Sequence, residues 1–245
     1  DPDQSPDPGR PDGVSAAACL QPEPFATADR GVRLSATSIA GKPAHWDAAR
    51  RHLTRIDPVL AGIIRQHRGI HLSPRHDAFL TLARAIVGQQ ISVKAAASVW
   101  ARTEQALGRV TPVTVLDSEA SELRACGLSE RKVDYVRDLA RHFREGLIDA
   151  GKMPEMDDES IIESLTAVRG VGRWTAEMFL MFHLLRPNVL PLADVGLQRA
   201  VAIHYRKGRL VSSRTIVQIA RPWEPWRSVA TWYLWRSLEP KPVSY

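Results

Sequence analysis

From Pro43 onward, apolar residues recur at intervals of three and four, and strand-like alternation is nearly absent. That spacing collects apolar side chains on one face of a helix, whereas a half-buried strand needs a period of two. The stretch 45–67 is the plainest case, with Trp46, Ala49, Leu53, Ile56, Leu60, Ile63 and Ile64 in helical register. The same pattern predicts helices over 76–87, 92–107, 117–125, 129–143, 158–168, 172–185, 194–205 and 226–238. Ser92 and Ser129 stand where N-caps belong, because a short hydroxyl can accept from the unpaired N–H groups of a first turn. The expected fold class is therefore all-α with short loops. Residues 1–42 are rich in Pro, Asp, Ser and Ala without sustained periodicity, and read as a flexible tail with at most a short strand near 32–38.

Composition removes several classes. The two cysteines, Cys19 and Cys126, supply neither a disulfide framework nor a four-cysteine metal or iron–sulfur site. A membrane-spanning helix needs about 18 or more apolar residues in a row. The best apolar run, 178–185, is interrupted by His183. The chain starts Asp-Pro-Asp, without the basic and apolar regions of a signal peptide. The eight histidines show no metal-ligand spacing. Charge is more telling. Residues 1–30 hold six acids against two arginines, net −4, which leaves +10 on the rest of a chain whose total is +6. A basic globular body suits a polyanionic partner, nucleic acid first.

One segment stands out between two helical stretches: 165–176, LTAVRGVGRWTA. Gly170 and Gly172 flank a single apolar residue, Val171. Glycine allows positive φ and the close approach of another backbone. The helix beginning near Gly172 offers unpaired N–H groups and the positive end of a dipole, to which a phosphate is suited. Such a contact ignores base sequence. Arg173, Lys94 and Arg199 are further candidates for phosphate contact, each equally readable as plain solvated charge. An ordinary helical hairpin with a glycine turn remains the alternative reading of the segment.

The segment resembles the hairpin of the helix–hairpin–helix/Gly-Pro-Asp DNA glycosylase superfamily. The Pro-rich loop and aspartate that follow it there are present too, as 186–194, RPNVLPLAD, with Asp194 about 20 residues beyond the hairpin. Upstream, 85–97 (AIVGQQISVKAAA) is similar to the helix-turn that approaches DNA in the DNA-3-methyladenine glycosylase II branch. Downstream, 223–230 (WEPWRSVA) resembles that branch's final helix. These ordered matches span 46–238. The iron–sulfur relatives carry cysteines near the C-terminus, and here none follows Cys126. Relatives that also nick the strand carry a lysine two residues past the second hairpin glycine, where this chain has Trp174. Some relatives have an extra N-terminal β-domain; with 42 residues ahead of the helical body, this chain resembles the shorter form.

The resemblance implies a two-lobed helical fold with the site in the cleft. One lobe would comprise about 43–74 plus 191–245, the other about 75–190. It implies a monofunctional glycosylase that flips and excises alkylated bases, chiefly 3-methyladenine and 7-methylpurines, from double-stranded DNA as a monomer. Asp194 would be the catalytic carboxylate, and it also reads as a helix N-cap. Trp174, Met178 and Trp235 would line the base pocket, while Trp223, Trp226 and Trp232 read as core. Gln89, Gln90, Ser92, Lys94, Gly170, Val171, Gly172, Arg173 and Thr175 would touch DNA, with Gln90 as the wedge. The backbone carbonyls of Thr166, Val168 and Val171 would hold a structural Na+ or K+, with no cofactor for catalysis. The place of work would be the cytoplasm of a bacterium, in association with the nucleoid, or the nucleus of a eukaryote. A glycosylase for another lesion, or a non-catalytic DNA-binding module built on the same hairpin, are the alternatives.

Overall fold

The computed structural model describes residues 41–238, so the expected tail and the strand near 32–38 lie almost wholly outside the described residues. Twelve α-helices follow one another among the described residues, with no strand. They are α1 (Trp46–Ile56), α2 (Pro58–Gln66), α3 (Ala78–Gly88), α4 (Val93–Leu107), α5 (Pro112–Asp117) and α6 (Ala120–Ala125). Then come α7 (Glu130–Arg144), α8 (Asp158–Thr166), α9 (Arg173–Phe182), α10 (Val195–Arg206), α11 (Ser213–Ala220) and α12 (Arg227–Arg236). The helical class expected from the periodicity is the class observed. No described helix is long and apolar enough to cross a membrane.

The buried side chains gather into two apolar clusters. One runs from Ala78 to Val189 and is built by α3 to α9, including Leu82, Ile86, Leu139, Leu165 and Phe179. The other joins α1 and α2 to α10, α11 and α12 through Trp46, Leu53, Leu60, Leu197, Val201, Trp223 and Tyr233. Trp223 and Trp232 are core, while Trp226 is half-buried and stacks on His45, ring centroids 5.8 Å apart. Phe182 and Trp235 pack against both clusters, which places them at the seam.

The structure corrects three of the expected boundaries. The single helix expected over 45–67 is two, broken at Asp57–Pro58. Proline lacks the N–H that would continue the ladder and forces its predecessor into extended backbone, and Asp57 has φ −134°, ψ 108°. Helix α5 and helix α11 were not legible as periodic runs, because six and eight residues hold too few turns for a stripe. Their signal lay in the caps: a capping box at Thr111 with Pro112 following, and Ser212 ahead of α11. Helix α9 stops at Phe182 rather than Leu185, where Leu185 takes φ +56° ahead of Pro187.

Asp57 does more than end a helix. Its Oδ1 accepts the N–H groups of Val59 (2.9 Å) and Leu60 (3.0 Å), which caps α2. Its Oδ2 accepts the Tyr205 hydroxyl at 2.8 Å and Trp223 Nε1 at 2.9 Å. A carboxylate taken out of water needs its lone pairs filled, and four donors fill them. Burial, and then this carboxylate, drive the Tyr205 hydroxyl far above its ordinary pKa, so it stays a donor. Asp57→Ala removes a cap and orphans two largely buried donors, at about 1 kcal/mol and 1–3 kcal/mol each. Urea unfolding is expected to show a loss of about 3 kcal/mol or more; a loss below about 1 kcal/mol, the size of a cap alone, would disprove this role.

Candidate active site

The loop 186–194 is clamped along its length. Arg186 donates through Nη2 to the carbonyls of Met153 (3.0 Å), Pro154 (3.2 Å) and Met156 (2.7 Å). Its Nε faces Asp158 at 3.3 Å. Ser228 on α12 donates its hydroxyl to the Arg186 carbonyl (2.6 Å) and accepts the Val189 N–H (2.9 Å). Gln198 donates to the Leu192 carbonyl at 2.8 Å. A loop held this way delivers its last residue, Asp194, to a defined place.

Asp194 is buried, at 8% exposure. Its Oδ1 accepts the Leu197 N–H at 2.6 Å, which caps α10, and Trp235 Nε1 at 2.7 Å. Its Oδ2 accepts Trp174 Nε1 at 2.9 Å. The indoles of α9 and α12 thus converge on one carboxylate at the start of α10. Gly196 makes room for this, since a Cβ there would lie 3.0–3.1 Å from the Trp235 ring and 3.1 Å from Asp194 Oδ1. Trp235 stacks on Phe182, rings 10° from parallel with centroids 6.0 Å apart, and the Arg75 guanidinium lies 5.3 Å from the other aromatic centroid. Phe182 was not among the expected site residues. Its signal was present, as it follows Trp174 and Met178 at steps of four on α9. Met178 is itself buried, at 6% exposure in the first cluster, and so serves that core.

The glycine hairpin joins α8 to α9. Gly170 has φ +84°, and a Cβ there would fall 2.2–2.7 Å from the Tyr135 ring, so only glycine fits. The Val171 N–H donates to the Val168 carbonyl at 3.1 Å and closes the turn. Gly172 precedes α9 without a side-chain cap, which leaves the first N–H groups of that helix available. Gln89 Nε2 donates to the Gly170 carbonyl at 2.8 Å and ties the α3–α4 turn to the hairpin. In that turn Gln90 is exposed at φ +59°, a costly backbone region for a non-glycine residue. Ser92 caps α4 by accepting the Ala95 N–H at 3.2 Å, and Lys94 is exposed beside it.

Two expected DNA contacts stand differently. Arg173 is engaged in a fork, donating to Glu159 through Nη1 (2.8 Å) and Nη2 (2.5 Å), and to Glu177 through Nε (3.2 Å). Bidentate geometry matches guanidinium to carboxylate as well as it would to phosphate. Thr175 is buried, 6% exposed. Burial pushes the Glu177 carboxyl above its ordinary value; Arg173 opposes the shift, and Glu159 and Asp194 add to it. Among the described residues no cluster of His, Cys, Asp and Glu could hold a metal ion. Among the described residues the carbonyls of Thr166 and Val171 accept no backbone bond outside the helices, and that of Val168 accepts the turn bond, so all three keep lone pairs of the donor type a monovalent cation takes.

Sequence and structure comparisons place this arrangement among known proteins. Residues 83–225 match the HhH-GPD superfamily base excision DNA repair protein family. Bacillus subtilis YfjP is 33% identical over 188 residues; the match covers 74% of this chain and 66% of YfjP, so the chain spans just under two thirds of that relative's length. The crystal structure of a DNA-3-methyladenine glycosidase from Bacillus halodurans superposes with TM-score 0.71 at 34% identity, covering 77% of this chain and 88% of that one. The fission yeast 3-methyladenine DNA glycosylase in complex with abasic DNA superposes with TM-score 0.72 at 27% identity, covering 81% and 100%.

The hairpin rests on Asp138 of α7. Its Oδ2 accepts the Arg169 N–H at 2.9 Å, and its Oδ1 meets Arg141 at 3.0 Å and Arg169 Nε at 3.4 Å. Burial alone would push this carboxyl up, but the Arg169 amide, the Arg141 bond and the Arg169 and His142 charges outweigh it and hold it below its ordinary value. A carboxyl lowered by folding stabilises the folded state above its unfolded pKa, and that contribution is lost as pH falls through the folded value. The stability gap between wild type and Asp138→Asn is therefore expected to be full near pH 6 and to narrow as pH drops below about 4. Urea unfolding across that range tests it; a gap independent of pH would show that the charge does not brace the hairpin.

Proposed function

Because the chain belongs to the HhH-GPD superfamily of base excision DNA repair proteins, we propose that it is a monofunctional DNA glycosylase that excises alkylated bases, chiefly 3-methyladenine, by hydrolysis of the N-glycosidic bond. The observation that carries this reading is Asp194: a buried carboxylate gripped by two indole N–H groups and a helix N-terminus, at the seam between two apolar cores.

The hairpin holds the strand. Free N–H groups at the start of α9, with the Gly172 backbone bare of side chain, receive phosphate oxygens and fix position without reading sequence. Gln90, exposed at the tip of the α3–α4 turn, enters the space left by the target nucleotide. Flipping that nucleotide costs a few kcal/mol, about the energy of unstacking and unpairing it, and less when the base is damaged. Electron-rich rings then receive it. An alkylated purine carries positive charge, so the faces of Trp174 and Trp235 favour it by stacking and cation–π attraction.

Asp194 acts when the bond to the base breaks. The sugar develops oxocarbenium character, and a fixed negative charge nearby stabilises it without reorganising. Among the described residues Oδ2 accepts from Trp174 alone, and so keeps a lone pair that can orient a water for attack at the anomeric carbon. A cationic base leaves readily and asks for no strong general acid. No amine stands at position 174 to form a Schiff base, so hydrolysis leaves an intact abasic strand. Thr166, Val168 and Val171 would hold a monovalent cation through their carbonyls and stiffen the phosphate grip, taking no part in bond breaking.

The test is base release from methylated duplex DNA, with borohydride present in a parallel reaction. Wild type is expected to release 3-methyladenine with no trapped covalent adduct. Asp194→Asn keeps the cap on α10 but presents an amide where Trp174 donates, and is expected to cut the rate by about 10²-fold or more while leaving the fold intact by circular dichroism. An unchanged rate in that variant would remove Asp194 from catalysis, and a trapped adduct would overturn the monofunctional reading.

A further inference from the structure

A groove lined by arginines lies away from the hairpin. It has a volume of about 500 Å³, sits between α1 and α2 in the second cluster's half of the molecule, and is lined by Arg50, Arg51, Arg55, Arg65 and Arg68 above Thr54 and Ile64. Among the described residues no carboxylate lines it. Some arginines elsewhere among the described residues meet acids, as Arg84 does Glu104, Arg141 and Arg169 do Asp138, Arg173 does Glu159 and Arg186 does Asp158, and others such as Arg109, Arg144 and Arg214 do not. What sets the groove apart is that five arginines line one surface. Among the described residues the acid nearest the groove is Asp47, 3.6 Å from Arg50 and also within the field of Arg51. Arg51, Arg55, Arg65 and Arg68 are exposed and make no ion pair.

Helix dipoles account for part of the arrangement, since Arg55 and Arg65 stand in the last turns of α1 and α2. They do not account for Arg68 beyond α2, and Arg51 in mid-helix answers only to Asp47 one turn earlier. Gathering five guanidiniums costs self-repulsion, and folding gains nothing visible in return. We infer that the α1–α2 groove is a second DNA-binding surface, on which the phosphodiester backbone of duplex DNA lies while the hairpin engages the damaged strand. Guanidiniums suit phosphate through paired N–H donors, and an open row of them suits a continuous backbone better than a compact ligand. The hairpin explains the need. Its two arginines are neutralised, Arg169 by Asp138 and Arg173 by Glu159 and Glu177, so the cations that release counterions must come from elsewhere. This inference rests on the proposed DNA-binding function.

The experiment uses the full chain carrying Arg51→Ser, Arg55→Ser, Arg65→Ser and Arg68→Ser together, with the four Arg→Lys replacements as the charge-keeping control. Binding to a long undamaged duplex is measured by fluorescence anisotropy across a salt series, and release of 3-methyladenine is measured at saturating protein in a single turnover. The serine variant is expected to bind at least about tenfold more weakly at low salt, with a log–log salt slope shallower by about one for each arginine that holds a phosphate. Its saturated excision rate is expected to match wild type, and the lysine variant is expected to keep the wild-type slope. Equal affinity and slope for serine variant and wild type would overturn the inference while leaving the enzymatic reading intact. So would a groove covered by the acidic residues 1–30: deleting them would then tighten DNA binding, and the arginine substitutions would matter only in the deleted chain. A serine variant that binds weakly and also loses saturated excision would mean general damage to the protein and count against a separate surface. Absence of base release by wild type would sink the proposed function first.

Discussion

A single carboxylate stands where the two apolar cores meet, and it is the charge of Asp194 that three different helices share. Trp174 brings in α9 from the first core, Leu197 brings in α10 and Trp235 brings in α12 from the second. A buried carboxylate without donors is costly enough to take up a proton or to pull its surroundings apart. With three donors at 2.6–2.9 Å it orders them instead. The charge proposed to stabilise the transition state is thus also an electrostatic tie between the two apolar cores. Preorganisation here is a matter of fold, since the donors are placed before any substrate arrives.

Asp57 repeats the device on the structural side. It breaks α1 from α2, caps the second and fastens Tyr205 and Trp223 with its remaining oxygen. Asp138 does so a third time, beneath the hairpin. In each case an aspartate combines a backbone N–H with more distant partners, because its short side chain keeps the carboxylate close to the main chain it serves. The hairpin is further fixed by fit: the Tyr135 ring occupies the space that a side chain at position 170 would need. A rigid hairpin and a rigid Asp194 would set the separation between the proposed phosphate grip and the reacting sugar. The basic groove between α1 and α2 stands apart from both, with its charge unspent by the fold.

How much of this could be read along the chain follows from the range of each interaction. Helices with an apolar stripe of several turns were legible, as were Ser92 and Ser129 as caps. Short α5 and α11 were not, since a stripe needs turns to declare itself. The break at Asp57–Pro58 was legible in chemistry and hidden by the apolar spacing that continues across it. At the site, Trp174, Trp235 and Asp194 were named from their positions in a motif, and the bonds between them had no signature in any window of residues. Partners 20 and 41 residues away meet through packing, which local periodicity does not encode. Arg173 shows the opposite failure. A cation at a hairpin suggests phosphate when read locally, and Glu159, 14 residues earlier, claims it in space.

By itself the sequence determined the class of this protein and its vocabulary: helices wherever apolar residues recur every three or four positions, a turn only glycine can make, an aspartate after a proline-rich loop, and a surplus of positive charge. Those are properties of short stretches, set by backbone sterics, helix geometry and formal charge. The tertiary structure decided which indoles face Asp194, which acids silence which arginines, and where arginines are left without acids. These depend on distances between residues far apart in the chain, and such distances exist only once burial has packed the helices and buried polar groups have found their partners.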